Sequence, residues 1–216
     1  MIEELIEQAQ ALLLLNESEV VFVDKREKDR QEISLKYIDY PALIKTLAEE
    51  DYKSNWFLES YFKLHFIQRQ NGRVLTVYST IPRTYTLYFN DLVINVPLTG
   101  AVIVQYGRKL WVYAYKSNRP LSINSQLYKF PLPNIDSNGL VCWGTVSPSQ
   151  TKIDLAWQSF ISSRFNQDYC RNKSKRFPQN IVEQLTDLSQ SLNQVYPEED
   201  LIEAGLTLNR LPKIIQ

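Results

Sequence analysis

Cys142 stands in the stretch Pro-Leu-Pro-Asn-Ile-Asp-Ser-Asn-Gly-Leu-Val-Cys-Trp-Gly, residues 131–144, and is one of only two cysteines in the chain. Asn134 precedes it by eight positions. A thiol with a pKa of about 8.5 is a few per cent thiolate at neutral pH, enough for exchange with an acyl group that is already activated. A side-chain amide held nearby could donate to the oxyanion that forms when an acyl group is attacked. Asn134 could equally be a turn residue, since Pro-Asn favours turns. Two prolines and the Asn138-Gly139 pair make a helix or central strand implausible here and fit an ordered loop presenting one side chain. The competing reading of Cys142 is a small buried hydrophobe, which Val141-Cys142-Trp143 would also suit.

Other groups that could do chemistry are few. Asp136 and Asp168 are the carboxylates nearest in sequence that could take a proton. Cys170 lies in a basic polar stretch with no comparable context. His65, the sole histidine, falls on the polar side of an expected strand and reads as a surface residue. Residues 164–176 carry Arg164, Arg171, Lys173, Lys175 and Arg176 against one acid, Asp168. Such a run is a solvated face or a docking surface for an acidic partner.

Composition removes several classes. One histidine and two cysteines supply neither a metal site of ordinary ligand count nor a disulfide framework. Six glycines and no Gly-rich phosphate loop leave no nucleotide-cradling motif, so no cofactor is expected. Lys plus Arg and Asp plus Glu both number 24, and this balance advertises neither a nucleic-acid nor a membrane partner. The N-terminus is acidic where a secretory signal is basic, and Leu12–Leu15 is too short to span a bilayer. A soluble, cytoplasmic protein is expected. A cysteine hydrolase needs a base beside its thiol, and His65 belongs to a distant strand.

The elements that must hold the loop follow from periodicity. At 216 residues the chain suits one well-packed domain with an appendage, divided here as 1–60 and 61–216. Residues 2–15 have the spacing of an amphipathic helix, Val20–Val23 and Glu32–Ile38 of a hairpin across a charged turn, and Ala42–Glu50 of a helix opened by Pro41. Tyr61–Gln68 and Val74–Ser79 flank an Asn71-Gly72 turn. Tyr85–Phe89, Leu92–Val96, Ala101–Gln105 and Leu110–Tyr115, with short connections, predict a four-stranded antiparallel meander. Lys116–Lys129 reads as a polar connection into the cysteine loop. Helices are expected over Asp154–Arg164, with Thr151 or Asp154 as cap, and over Ile181–Val195, with a short helical piece after Pro197. Strands segregated from helices indicate an α+β fold.

With these residues in view, the chain resembles the ubiquitin-conjugating enzymes. That family carries a His-Pro-Asn triplet, a turn, and a catalytic cysteine eight residues after the asparagine. Here Leu132-Pro133-Asn134, Asn138-Gly139 and Cys142 occupy the same spacing, and the likeness covers roughly residues 73–195. It is similar in particular to the bacterial branch represented by PRTRC system protein B, through Tyr113-Ala114, Arg119-Pro120, Gln126-Leu127-Tyr128, Pro131, Asn134, Gly139, Val141-Cys142-Trp143-Gly144, Trp157, Phe160, Ser163 and Phe165. Residues 1–60 would be that branch's N-terminal addition.

The resemblance implies a transferase that accepts a ubiquitin-like modifier as a thioester on Cys142 and passes it to an amine, with Asn134 at the oxyanion. Its implied partners are an activating enzyme of ThiF type, the modifier, and a target protein with an acceptor amine. Two features depart from the pattern. Leu132 replaces the triplet's histidine, and the histidine that the bacterial branch carries after a Ser-x-Phe segment is absent, because Ser163-Arg164-Phe165 is followed by Asn166 and Gln167. An inactive conjugating-enzyme-like scaffold that binds a modifier or partner therefore stands as the alternative.

Overall fold

The computed structural model describes residues 11–14, 19–25, 33–39, 52–56, 64–70, 72–89, 92–118, 120–144, 153–191 and 195–215. The chain divides into two compact units, Met1–Phe57 with Phe66–Val74, and Leu58–His65 with Leu75–Gln216. In the first, β1 (Ala11–Leu14), β2 (Glu19–Lys25) and β3 (Ile33–Asp39) form an antiparallel sheet in that order. The β2–β3 pairing matches Val21 with Tyr37, joining the segments expected to form a hairpin. Ala11–Leu14 is a strand where a helix over residues 2–15 is expected. Its unbroken run Ala-Leu-Leu-Leu fits either period, and pairing with Val20–Val23 decides the matter. The rest of that helix and the one expected over Ala42–Glu50 lie outside the described residues. β4 (Tyr52–Lys53) pairs antiparallel with the Gln68–Arg69 part of β5 (Leu64–Gln70).

The larger unit is organised by one long, bent hairpin. Its first arm is β6 (Arg73–Thr80) followed by β7 (Arg83–Phe89), and its second is β8 (Val93–Leu98) followed by β9 (Gly100–Tyr106). β6 pairs with β9 and β7 with β8, and the register passes unchanged across the interruption, from Thr80 opposite Ala101 to Arg83 opposite Leu98. Pro97–Gly100, expected as a reversing turn, is thus a bend within one arm. A single residue, Thr99, separates the two strands, too little chain to reverse direction. Its Oγ1 donates to the Tyr115 carbonyl at 2.8 Å, and Tyr115 closes over Gly100 so tightly that a Cβ there would collide with the ring. The four strands expected as one meander are accordingly shared between two sheets.

β10 (Lys109–Tyr115) returns antiparallel to β9, and β11 (Gln126–Lys129) pairs with β10 inside the stretch read as a polar connection. Beyond the cysteine loop come α1 (Ile153–Ile161), β12 (Arg164–Phe165) and α2 (Ile181–Gln190). Arg164, expected at a helix end, instead pairs parallel with Tyr88 of β7. Asn180 caps α2 by accepting from the Val182 N–H at 3.1 Å. The 3₁₀ turn Glu198–Asp200 matches the short helical piece expected there. It leads into β13 (Glu203–Thr207), a strand with no counterpart in the sequence reading, which pairs with β11. The short α3 (Leu211–Ile214) follows.

Trp157 anchors the core. It meets Tyr85 and Phe130 edge-on at 5.8 and 5.7 Å and lies 6.0 Å from Phe160, and its indole N–H donates to the Tyr85 hydroxyl at 3.3 Å. α1 turns Ala156, Trp157, Phe160 and Ile161 inward. Leu155 of the same helix is 41% exposed. His65 also departs from its expected surface role. It is 3% exposed, and its Nε2 lies 2.6 Å from Ser79 Oγ in a shared hydrogen bond.

Candidate active site

The loop from Pro131 to Gly144 is held from three sides. Towards β10, the Val112 N–H donates to the Gly139 carbonyl and the Val141 N–H to the Leu110 carbonyl, both at 2.8 Å. The Tyr113 hydroxyl donates to the Asn138 carbonyl at 2.5 Å. Gly139 takes φ = 84° against the Tyr113 ring, a conformation and a clearance that favour glycine. Within the loop, Ile135 bridges Val141. Asp136 Oδ1 accepts from the N–H groups of Asn138 and Leu140 at 2.8 and 2.9 Å. That carboxylate, a candidate proton acceptor in the sequence, is spent on fixing the turn.

From below, Lys173 reaches up. It is 2% exposed, and its Nζ donates to the Ile135 carbonyl at 2.6 Å. The expectation that the whole 164–176 run is a solvated face or docking surface therefore fails at Lys173. Burial, and then the charge of Lys129, lower its pKa to about 8, with Asp136 and Cys170 pulling the other way. Cys170 is likewise buried, part of the main core, and burial raises its thiol's pKa.

Cys142 ends this construction as an exposed thiol, so the small-buried-hydrophobe reading does not describe it. Its N–H donates to the Asn134 carbonyl at 2.7 Å, joining the two sequence candidates through the main chain. Asn134 is 8% exposed and holds φ = 58°, a left-handed conformation that asparagine tolerates better than most residues. Its own N–H donates to the Asp168 carbonyl at 2.8 Å.

The side chain of Asn134 meets a residue that sequence reasoning named only for what it is not. Asn134 Nδ2 donates to Asn166 Oδ1 at 2.7 Å, and the Asn166 N–H donates back to Asn134 Oδ1 at 3.0 Å. Asn166 in turn donates from Nδ2 to Asp168 Oδ2 and accepts from the Asp168 N–H, each at 2.8 Å. Asn166 follows the Ser163-Arg164-Phe165 segment, where the resemblance leads one to expect a histidine, and that departure was the available signal. The pair fixes which way the Asn134 amide faces and leaves it one N–H to donate. Asp168, the other candidate proton acceptor, is engaged in the same chain of bonds.

Trp143 packs edge-on against Phe160 at 6.0 Å, and its buried indole Nε1 has no hydrogen-bond partner among the described residues. Among the described residues no three His, Cys, Asp or Glu side chains gather as a metal-holding group, and no helix is long and apolar enough to cross a membrane. The arrangement presents the exposed Cys142 thiol on a braced loop whose main chain also holds Asn134, with the Asn134 amide oriented by Asn166. It offers no imidazole and no unengaged loop carboxylate as a base. Compared with known proteins, residues 39–204 match the family model described as prokaryotic E2 family D. No curated protein and no solved structure matches the chain.

Proposed function

Because the chain belongs to prokaryotic E2 family D, we propose that it accepts a ubiquitin-like modifier as a thioester on Cys142 and passes it to an amine. Family membership carries a conjugating-enzyme-like role and, in general terms, an activating enzyme and a modifier as partners. The proposal adds the residues. The observation that carries it is the exposed Cys142 on a loop locked by main-chain bonds, tied directly to Asn134.

In the loading step the Cys142 thiolate attacks the thioester carbonyl of the modifier held on the activating enzyme, and the activating enzyme's thiolate leaves. The acyl group arrives activated, so loading needs no strong base at the site. In the transfer step an amine attacks the carbonyl, the Cys142 thiolate is expelled, and the amine's proton passes to solvent. The oxyanion formed on the way receives the remaining Asn134 N–H. One such donor is worth roughly 3 kcal/mol. The ThiF type of activating enzyme, the cytoplasmic setting and the likeness to PRTRC system protein B belong to this same proposal.

The test is reconstitution with an activating enzyme and a ubiquitin-like modifier from the same organism, plus ATP. Wild type gives an adduct that disappears on treatment with excess thiol, and Cys142→Ser gives none that thiol can release. No adduct with those partners, or a thiol-sensitive adduct on the serine variant, would overturn the assignment. A specific observation supports a second reading, a scaffold that binds a modifier without transferring it. The chain's one histidine, His65, lies outside the loop, and the two candidate carboxylates, Asp136 and Asp168, are both engaged in hydrogen bonds. Binding of the modifier by wild type and Cys142→Ser alike, with no adduct in either, is its signature.

A further inference from the structure

A cleft of about 540 Å³ opens beneath the cysteine loop, with Lys129, Arg171, Lys173, Tyr169, Ser137 and Gln167 among its lining residues. Its volume is in the range of small-molecule sites. Three of its lining residues are cationic and none is acidic. Lys129 and Arg171 make no side-chain hydrogen bond or ion pair with any described residue. Lys173 enters as the buried floor, its ammonium already under the repulsion of Lys129. The charge belongs to side chains and not to the start of α2, where Asn180 already satisfies the Val182 N–H.

Positive charge gathered in a concave place whose lining holds no acidic residue, with Asp136 acting on Lys173 from outside it, raises the local concentration of anions. Arginine with lysine suits a phosphate, the arginine as a fork and the lysines as point charges. Three cations are matched by a ligand with two or more negative charges, which a phosphate monoester or diphosphate carries and a single carboxylate does not. Around that anion the cleft offers hydroxyl and amide donors and the exposed ring of Tyr169. We propose that this cleft binds a phosphate-bearing small molecule of up to nucleotide size, held by Lys129, Arg171 and Lys173. The site needs no glycine-rich loop, which is why no phosphate motif announces it in the sequence. Cys142 is not among its lining residues, and the proposal does not depend on the conjugation reading.

Calorimetric titration of the full chain with pyrophosphate, ADP, adenosine and a glutamate-rich peptide tests it. Pyrophosphate and ADP bind, adenosine does not, and Cys142→Ser binds them as wild type does. The double variant Lys129→Ala/Arg171→Ala, which leaves buried Lys173 in place, loses at least about tenfold in affinity for both phosphate compounds, with its unfolding transition unchanged. ADP binding more tightly than pyrophosphate marks a nucleotide as the natural source, and equal affinity marks the phosphate group alone. Binding of the peptide without either phosphate compound, adenosine binding as ADP does, an unaltered double variant, or no binding at millimolar concentration each overturns the proposal.

Discussion

Asn166 shows how one side chain can fix the orientation of another. An asparagine cannot take a proton as histidine does, but it can lock a second amide, and here it clasps Asn134 through two bonds. Asn134→Ala is expected to keep thioester loading and to slow transfer to lysine by about a hundredfold, the worth of one oxyanion donor. Equal single-turnover transfer rates would remove the oxyanion role. Asn166→Ala is expected to slow transfer less, by misorienting the amide. Combining the two changes should cost little more than Asn134→Ala alone, since they act through one amide.

Lys173 has a different test at the same scale. Its pKa is held down to about 8 in the fold, mainly by burial, against about 10.4 in an unfolded chain. Below pH 8 both states keep the proton, so the burial penalty is fully present. As pH rises above 8 the folded state releases it first, and stability increases. Relative to Lys173→Met, wild type should gain roughly 2 kcal/mol between about pH 7.5 and 9.5. Urea midpoints across that interval measure it, and a flat or falling difference would contradict it.

Among the elements, the bent hairpin explains what the sequence could and could not disclose. The alternation of Tyr85–Phe89 marks it as a strand because burial of one face imposes a period of two, whereas Ala101–Gln105 is an apolar run buried on both faces. Pro97 and Gly100, however, are the residues of a reversing turn, and only the unbroken register beyond them shows that the chain bends and continues. β11 and β13 are short and polar, and are strands because a neighbour pairs with them. Burial of Lys173 is equally a product of packing, invisible in a basic run. The Cys142 loop was legible for the opposite reason. Prolines, Asn138-Gly139 and the spacing to Asn134 are local constraints, and Gly139 meets them with its φ of 84° beside the Tyr113 ring. Gly139→Ala is expected to destabilise the fold by about 2 kcal/mol or more, seen as a lower urea midpoint.

At the scale of the whole molecule, the family match begins within the first compact unit and ends within β13. The larger unit closes on itself at its C-terminal end through buried polar groups. Asp200, 3% exposed, accepts from Arg176 and Gln184, and Gln184 accepts from the Tyr196 hydroxyl. This ties the chain before β13 to α2.

The contrast between the two thiols has a practical consequence. Cys142 is exposed, whereas Cys170 is buried in the core with its thiol made harder to ionise, and the chain has no third cysteine. A maleimide at neutral pH is therefore expected to attach once per native molecule and twice after denaturation, counted by intact mass. The wild-type protein is thus ready for a fluorophore, spin label or cross-linker at its own candidate nucleophile, with no engineered cysteine and none removed.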